Sequence, residues 1–312
     1  MQIAITGATG FVGRYLVRQL AGAGHRLRCW HRKGSDRSGF ERQAKSIEWL
    51  GGELGNASAA SHLVQGVDAL VHAAVQWEGP RSRGNASHGA PDVFFGVNLV
   101  GSLQLFQAAL EAGTTRCIFI STCAVHEVIL DDRLLDETHP LWPTSHYGAH
   151  KAALEKFVHS FGLGQGWQIC ALRPTGIYGV AHPPQKSRWF DLIGQVVRNE
   201  PITSTKGGKE VHAVDVARAV ELLLTVDALA MTGQAFNCYD QYVAEEHVAR
   251  IAKELTDSRS EIANVNRGPK HQIDSQKIRA LGMSFGGEEL LRATVRELVE
   301  AHRSGQDVRE RH

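Results

Sequence analysis

A glycine-rich turn near the start of the chain constrains the fold more than any other feature of the sequence. The turn reads TGATGFVG over residues 6–13. The apolar run before it, 2–6, is typical of a buried strand, and apolar residues at helical spacing follow over 11–20. A strand, a tight turn and a helix in this order predict the first unit of an alternating α/β fold.

The three glycines of this turn suit the close approach of a phosphate group. Gly7 permits the tight turn, Gly10 lets the backbone approach a pyrophosphate, and Gly13 allows the helix to pack closely on the sheet. Backbone N–H groups at the helix start would face the anion. The alternative is an ordinary glycine-rich turn, but the flanking strand and helix favour a nucleotide site.

The N-terminal half of the chain repeats this alternation of strands and helices. Further strands are predicted over 26–31, 69–74 and 116–121, with a helix over 92–112. Alternating units of this kind predict a Rossmann-type doubly wound parallel sheet that helices cover on both faces. Ligands should then gather at the carboxyl edge of the sheet.

The length of 312 residues favours one nucleotide-binding domain and a smaller C-terminal substrate lobe. We predict the Rossmann domain over 1–174, with a returning segment at about 209–238. The lobe is predicted to consist of 175–208 and 239–312. A stretch rich in Gly, Ser, Arg and Asn, 78–91, is predicted to be a mobile loop near the site.

A tyrosine and a lysine one helical turn apart form the candidate catalytic pair. Tyr147 and Lys151 would share one helix face. A cation beside the Tyr147 hydroxyl favours the phenolate, which could then exchange a proton near neutral pH. Thr122 follows a predicted buried strand and could hydrogen-bond the same substrate oxygen, with Ser121 as the competing candidate. The alternative is an exposed tyrosine beside a solvated lysine.

Taken in order, these motifs resemble the extended short-chain dehydrogenases/reductases, also called the NAD-dependent epimerase/dehydratase family. The resemblance covers roughly residues 1–240. It rests on TGATGFVG, VHAA at 71–74, VNLVG at 97–101, the Ser121-Thr122 pair, YGAHK at 147–151 and RPTGIYG at 173–179.

The resemblance implies a role for each residue of the candidate site. Tyr147 would be the acid/base, Lys151 would hold the nicotinamide ribose and lower the pKa of Tyr147, and Thr122 would orient the substrate. The family's spacing between hydroxyl residue and tyrosine favours Thr122 over Ser121. His126 departs from the family pattern, which often has tyrosine there. The expected cofactor contacts are Gly7, Thr9, Gly10, Phe11, Val12, Gly13, His31, Arg32, Lys33, Glu53, Leu54, Ala73, Ala74, Asn98, Lys151 and Pro174.

The residues after the second strand bear on the choice between NADP(H) and NAD(H). An acidic residue at this place would accept hydrogen bonds from the ribose diol of NAD. This chain has His31, Arg32 and Lys33 instead, and no carboxylate until Asp36. Arg32 could bind a 2'-phosphate with two hydrogen bonds and Lys33 could add a charge. NADP(H) is therefore favoured over NAD(H), and the alternative is a solvated basic turn.

Composition argues against several other classes of protein. The net charge of +1 gives no reason to expect a nucleic-acid or anionic-membrane partner. No apolar segment approaches the roughly 18–20 residues that cross a bilayer. Five cysteines without paired spacing suit a reduced, cytoplasmic enzyme. His146 and His150 have a metal-binding spacing, but no further ligand cluster accompanies them, so no metal is expected.

Three functions fit these features. The first is an NAD(P)-dependent oxidoreductase that moves hydride between nicotinamide and a carbonyl or secondary alcohol carbon. The second is a nucleotide-sugar epimerase or dehydratase with tightly bound NAD. The third is a non-catalytic NADP(H)-binding regulator, against which the complete set of Thr122, Tyr147 and Lys151 argues.

The oxidoreductase is preferred over the epimerase or dehydratase. Sugar-nucleotide members commonly have Asn just after the arginine that here is Arg173, whereas this chain continues with Pro174. Those members also usually have a cationic clamp for the sugar-linked diphosphate, for which Arg188, Lys206 and Lys209 are the candidate substitutes in this chain. The partner is expected to be a small-molecule substrate, and the resemblance implies a homodimer formed by the helices at about 92–112 and 147–162.

Overall fold

The computed structural model describes residues 1–77, 91–264 and 268–309. Except for Pro91, the loop predicted over 78–91 lies outside the described residues. The chain divides into two compact units. The larger unit consists of Met1–Thr175, Val216–Cys238 and Ile273–Met283. The smaller unit consists of Gly176–Asp215, Tyr239–Gln272 and the described part of Ser284–His312.

Within the described residues, strands and helices alternate along most of the chain. The strands are β1 Gln2–Thr6, β2 Arg26–His31, β3 Ile47–Gly51, β4 Ala69–His72, β5 Arg116–Ile120, β6 Gln168–Pro174, β7 Gly176–Tyr178, β8 Gly207–His212, β9 Ala235–Cys238 and β10 Gln241–Ala244. The helices are α1 Phe11–Gly22, α2 Ala57–Val64, α3 Pro91–Phe95, α4 Gly101–Glu111, α5 His146–His159, α6 Phe190–Val197, α7 Ala213–Thr225, α8 Ala228–Met231, α9 Glu245–Thr256, α10 Gln276–Ala280 and α11 Gly287–Arg309.

The larger unit is built on a seven-stranded sheet of order β3-β2-β1-β4-β5-β6-β9. Every neighbouring pair in it is parallel. This arrangement confirms the predicted Rossmann-type doubly wound sheet. The edge strand β3 was not predicted, because none of its residues is fully buried and its sequence, IEWLG, lacks a strong apolar signal.

The core of this unit lies between the sheet and the helices that cover it. Phe106 of α4 is fully buried and contacts the rings of Phe119 at 5.8 Å and Trp167 at 6.4 Å, measured between ring centroids. Leu105 of α4 and Leu154 of α5 belong to the same buried cluster. These apolar faces hold α4 and α5 against the sheet, and α5 carries the candidate catalytic pair.

One continuous helix runs from α3 through a π-helical turn, Gly96–Val100, into α4. This helix, Pro91–Glu111, has 21 residues, and among the described residues it alone is long and apolar enough to span a membrane, by length and composition. The expectation that no apolar segment approaches this length was therefore wrong. The reason is that polar residues such as Asn98 and Ser102 interrupt the apolar run, so the sequence shows no unbroken apolar segment of this length, and both are buried in the protein.

The smaller unit contains a three-stranded sheet of order β10-β8-β7, with helices α6, α9 and α11. Strand β8 pairs in parallel with β7 and antiparallel with β10, which places 209–215 in this unit. The expected returning segment, 209–238, therefore starts later, at Val216. Residues 273–283 belong instead to the larger unit, where Ile273 bridges to Leu135. Substrate binding by the smaller unit stays a prediction.

Candidate active site

The glycine-rich turn connects β1 to α1 and leaves no room for side chains at two positions. Gly7 has a φ of 73°, and a Cβ atom there would lie 2.9 Å from the backbone of Ala73 and Ala74. A Cβ atom on Gly13 would lie 2.0 Å from the carbonyl oxygen of Gly7. The turn therefore brings the backbone of α1 and the segment after β4 together at the carboxyl edge of the sheet.

The start of α1 suits an anion. Gly10 precedes the helix without a side-chain cap, and the first turn carries no acidic residue. Backbone N–H groups at such an end lack helical partners and carry the positive end of the helix dipole. Thr9, Phe11 and Val12 are partly exposed around it. These residues fit the pyrophosphate of a dinucleotide.

A buried histidine joins the ends of β1 and β4, and sequence reasoning missed it. His72 Nδ1 lies 2.7 Å from Thr6 Oγ1, and its Nε2 lies 2.8 Å from Ser102 Oγ. Because the Ser102 hydroxyl donates to the Asn98 carbonyl at 2.5 Å, it accepts from His72, whose Nε2 carries the proton. Burial, with the charge of Lys151, holds the pKa of His72 well below its usual range, so the ring is neutral.

Asn98 holds two neighbouring segments of backbone. Its Oδ1 accepts from the N–H of Gln76 at 2.7 Å, while its Nδ2 donates to the carbonyls of Gln76 at 2.9 Å and Phe94 at 3.0 Å. Asn98 lies in the π-helical turn and is buried. The structure thus uses this side chain to fix the chain after β4, and its predicted cofactor contact stays a prediction.

The basic residues after β2 lie on an exposed turn. Arg32 and Lys33 are exposed, and His31 Nδ1 lies 3.3 Å from the Arg32 carbonyl. Gly34 has a φ of 80°, and the N–H of Arg32 donates to Ser35 Oγ at 3.0 Å. These bonds order the backbone of the turn while the two cationic side chains extend into solvent.

Arg14 of α1 holds the following loop and was not singled out from the sequence. Its guanidinium donates to the carbonyls of Ser38 at 2.7 Å and Asp36 at 2.8 Å, and it lies 3.4 Å from the Asp36 carboxylate. Asp36 Oδ1 also accepts from the N–H and the hydroxyl of Ser38. The first carboxylate after β2 is therefore engaged within its own loop. This contact could have been predicted from the basic residue that directly follows Gly13 in the sequence.

The segment after β3 contains the predicted adenine contacts. Glu53 is exposed, whereas Leu54 is buried in the core. A Cβ atom on Gly101 would lie 2.6 Å from the N atom of Gly55, so α4 and this segment are in close contact. Packing fixes the position of Leu54, and Glu53 is left at the surface.

Two side chains define the start of α5, just before Tyr147. Ser145 is the N-cap, and its Oγ accepts from the N–H of Gly148 at 3.1 Å. The Glu127 carboxylate accepts from the N–H groups and hydroxyls of both Thr144 and Ser145. Ser145 two residues before Tyr147 was a readable capping signal, but nothing in the sequence pattern pointed to Glu127.

Tyr147 and Lys151 occupy different environments on α5. Tyr147 is half-buried, whereas Lys151 is buried and its Nζ donates to the carbonyl of Ile120, the last residue of β5, at 2.7 Å. The Lys151 ammonium also lies 4.5 Å from the ring centroid of Phe119. Burial lowers the pKa of Lys151 to about 7, against the opposing effect of Glu155.

The two hydroxyl residues after β5 have separate partners. Ser121 is buried and donates to Glu155 Oε1 at 2.5 Å, and Glu155 is paired with Arg173 at 2.6 Å. Thr122 is partly exposed, and its Oγ1 accepts from the N–H of Ala124 at 3.1 Å. This arrangement ties Ser121 to a buried ion pair and favours Thr122 as the hydroxyl that can reach a substrate.

The remaining predicted contacts lie at the carboxyl ends of the strands. Ala73 and Ala74 follow β4, where their N–H groups donate to Thr6 Oγ1, each at 3.2 Å. Pro174 is the buried last residue of β6. Within 1–77, 91–264 and 268–309, no group of three or more His, Cys, Asp or Glu side chains is placed to hold a metal ion.

A Rossmann-type sheet, a glycine-rich turn at the start of its first helix and a Tyr–Lys pair on one helix define the class of short-chain dehydrogenases/reductases. The chain belongs to the NAD dependent epimerase/dehydratase family, whose model matches residues 3–238. The resemblance inferred from the sequence motifs is thereby confirmed.

Individual relatives are distant. One relative is the trifunctional UDP-glucose 4,6-dehydratase/UDP-4-keto-6-deoxy-D-glucose 3,5-epimerase/UDP-4-keto-L-rhamnose-reductase of Arabidopsis thaliana. The two sequences are 26% identical over 310 residues, and the match covers 90% of this chain and 44% of that protein. It is 30% identical over 201 residues to a 3 beta-hydroxysteroid dehydrogenase/Delta 5-->4-isomerase of Mycobacterium tuberculosis, covering 62% of this chain and 51% of that protein. The chain thus spans about half the length of these curated relatives.

A solved structure shares the fold along the whole chain. UDP-glucose-4-epimerase from Stenotrophomonas maltophila, with bound NAD and formylated UDP-arabinopyranose, superposes with a TM-score of 0.78. The two sequences are 21% identical, and the match covers 99% of each chain. At this identity the likeness shows the fold alone.

Proposed function

We propose that this chain is an NAD(P)-dependent oxidoreductase that transfers hydride between nicotinamide and a carbonyl or secondary alcohol carbon. The observation that carries the proposal is the placement of α5 at the carboxyl edge of the sheet. Lys151 is bonded to the end of β5, and Tyr147 lies half-buried one turn earlier. A proton donor one helical turn from a buried cation suits acid/base exchange with a substrate oxygen.

In this proposal each residue has one task. Tyr147 gives its hydroxyl proton to the substrate oxygen during reduction and takes it back during oxidation. Lys151, whose pKa burial lowers to about 7, is stabilised in its charged form by the phenolate and in turn favours that phenolate. Thr122 donates a hydrogen bond to the same substrate oxygen. The nicotinamide, when bound, supplies or accepts the hydride.

We further propose that NADP(H) is the preferred cofactor. Arg32 and Lys33 are exposed, and the nearest following carboxylate, Asp36, is paired with Arg14. A 2'-phosphate would therefore meet two cations, while the first carboxylate that follows them in the sequence is compensated by Arg14. Calorimetric titration should show tighter binding of NADPH than of NADH, and Arg32→Ser should reduce this ratio by roughly tenfold or more. A wild-type protein that binds NADH equally well would contradict the preference.

A nucleotide-sugar epimerase or dehydratase is the second candidate, favoured by the names of several relatives. The redox proposal gains support from Arg188, a candidate clamp for a sugar-linked diphosphate, which donates to the buried Glu210 at 2.6 Å. Its charge is therefore already compensated. Nucleotide released by denaturing the purified protein, identified by mass and absorbance, discriminates the two functions. Stoichiometric NAD would overturn the redox proposal, whereas an empty site with NADPH-dependent carbonyl reduction would support it.

We also propose a homodimer in a reducing, cytoplasmic compartment, without a nucleic-acid or membrane partner. Val100 of the long helix and Phe157 of α5 are exposed apolar residues on the two helices expected to pair. All five cysteines are free, and four of them are buried, which suits a reducing environment.

A further inference from the structure

Four aromatic side chains form a connected set of ring contacts beside Tyr147. We call this set, Trp77, Phe94, Phe95 and His150, the aromatic wall; Phe95 joins it through Phe94, at 5.7 Å between ring centroids. The Trp77 ring centroid lies 5.0 Å from that of Tyr147, with an angle of 34° between the ring planes. Phe94 lies 6.3 Å from Trp77 and 5.1 Å from His150, and His150 lies 5.4 Å from Tyr147. Trp77 is therefore the aromatic ring of this set that lies nearest the Tyr147 ring.

One buried side chain, Asn98, positions the backbone segments that carry two members of the aromatic wall, Trp77 and Phe94. Asn98 hydrogen-bonds both the N–H and the carbonyl of Gln76, the residue before Trp77. The same Asn98 donates to the carbonyl of Phe94. Because one amide fixes both backbone segments, Trp77 and Phe94 are positioned before any substrate arrives, which lowers the entropy cost of stacking a ligand on them.

The aromatic wall carries no charge, and two of its four rings are buried while the other two are partly exposed. Phe94 and His150 are buried, whereas Trp77 and Phe95 are partly exposed. Burial and then the charge of Lys151 lower the pKa of His150 to about 3, so its ring is neutral near pH 7. A surface of neutral rings favours contact with apolar groups of a substrate. A polyhydroxylated group, in contrast, needs hydrogen-bond partners when it is desolvated.

We propose that the substrate carries an apolar ring next to its reacting carbon, and that this ring packs on Trp77 while Tyr147 exchanges the proton. The inference rests on the proposed carbonyl or alcohol redox function and specifies its substrate class. It predicts a secondary alcohol or ketone of an aryl or alicyclic compound, in preference to an acyclic ketone or a nucleotide sugar.

The test compares a ring ketone with an acyclic one. NADPH-dependent reduction of acetophenone and of 2-butanone is measured for the wild type, Trp77→Phe, Trp77→Ala and the control Trp142→Ala. Trp142 is 48% exposed and takes part in none of the ring contacts among the described residues. We expect kcat/KM of the wild type to be roughly 10- to 100-fold higher for acetophenone. Trp77→Ala should lose most of this advantage, while Trp77→Phe keeps part of it and Trp142→Ala keeps all of it.

Other results separate the inference from the proposed function. Equal kcat/KM for the two ketones, or an equal loss on both in Trp77→Ala, would overturn the inference and leave the redox function standing. If neither ketone consumes NADPH and the denatured protein releases stoichiometric NAD, the redox function fails. Calorimetric titration of 1-phenylethanol into wild type and Trp77→Phe then tests the inference. Binding to the wild type that weakens in the variant supports the ring contact. An absence of binding to the wild type overturns the inference. Thermal melting verifies that each variant is folded.

Discussion

Among single residues, Gly13 is subject to the strictest steric limit in the site. The glycine turn leaves no space for its Cβ atom, which would lie 2.0 Å from a backbone oxygen that the fold holds in place. Gly22, at the end of the same helix, has nothing within 4 Å of an added Cβ atom. The two glycines thus provide a matched pair in one helix.

We expect Gly13→Ala to weaken dinucleotide binding and to lower the free energy of unfolding by roughly 1–3 kcal/mol, because the turn must shift to admit the methyl group. Gly22→Ala should leave binding unchanged and raise stability by up to about 1 kcal/mol, since alanine is the better helix former. Urea unfolding and cofactor titration of both variants measure these effects. Normal binding by Gly13→Ala would show that the cofactor does not depend on this turn.

The second prediction for a single residue concerns the hydroxyl group of Tyr147. Tyr147→Phe removes only the hydroxyl, so cofactor affinity should stay nearly unchanged while turnover falls by roughly 100-fold or more. Steady-state kinetics and cofactor titration measure the two effects separately, with Tyr242→Phe in β10 as the matched control. A parallel loss of affinity and turnover would assign Tyr147 a structural role instead.

At the scale of elements, the start of α5 depends on Glu127. This residue lies 20 positions before Tyr147 in the sequence, yet its carboxylate holds Thr144 and Ser145 and thereby sets where the helix begins. Burial opposes the ionisation of Glu127, but the hydrogen bonds from Thr144 and Ser145 outweigh it and lower its pKa. The ionised carboxylate therefore stabilises the folded protein.

We expect Glu127→Gln to reduce stability and to lower turnover through a misplaced Tyr147. Since the folded pKa of Glu127 is below its unfolded value of about 4.3, its contribution is fully present above that pH and is lost as the pH falls through the folded pKa. The difference in unfolding free energy between wild type and variant should thus be larger at pH 7 than at pH 3. Glu261→Gln, at an exposed glutamate, serves as the control, and a difference independent of pH would contradict the role of the charge.

Sequence patterns predicted the elements that bury a regular apolar face and missed contacts between distant segments. Strands β1 and β2 match their predicted bounds because their apolar residues mark them clearly. Edge strand β3 was missed since it lacks fully buried residues. Glu127 and the buried His72 could not be assigned from sequence, because their partners come together only after the strands and helices have assembled.

At the scale of the whole molecule, the proposed dimer would use exposed apolar residues of the long helix and of α5. Val93 and Val100 on the former, Phe157 on the latter, and Leu163 in the π-helical turn Ser160–Gly164 that follows α5 are each at least 40% exposed. We expect Val100→Asp to shift the proposed dimer to monomer, because a charge in an apolar interface is costly to bury. Sedimentation velocity measures the shift, with Leu229→Asp at a 90% exposed residue of α8 as the control. A monomeric wild type would contradict the dimer.

The larger unit is assembled from three separate stretches of chain, and this affects how it is synthesised. Strand β6 ends at Pro174, but its neighbour β9 is complete only at Cys238, 64 residues later (238 − 174). At about 5–20 residues per second, a ribosome needs roughly 3–13 s to make that stretch. During this interval the nascent sheet has an unpaired edge at β6 that is open to other chains. A fragment cut after Thr175 would keep that edge permanently, so the nucleotide-binding unit should be expressed with the full chain.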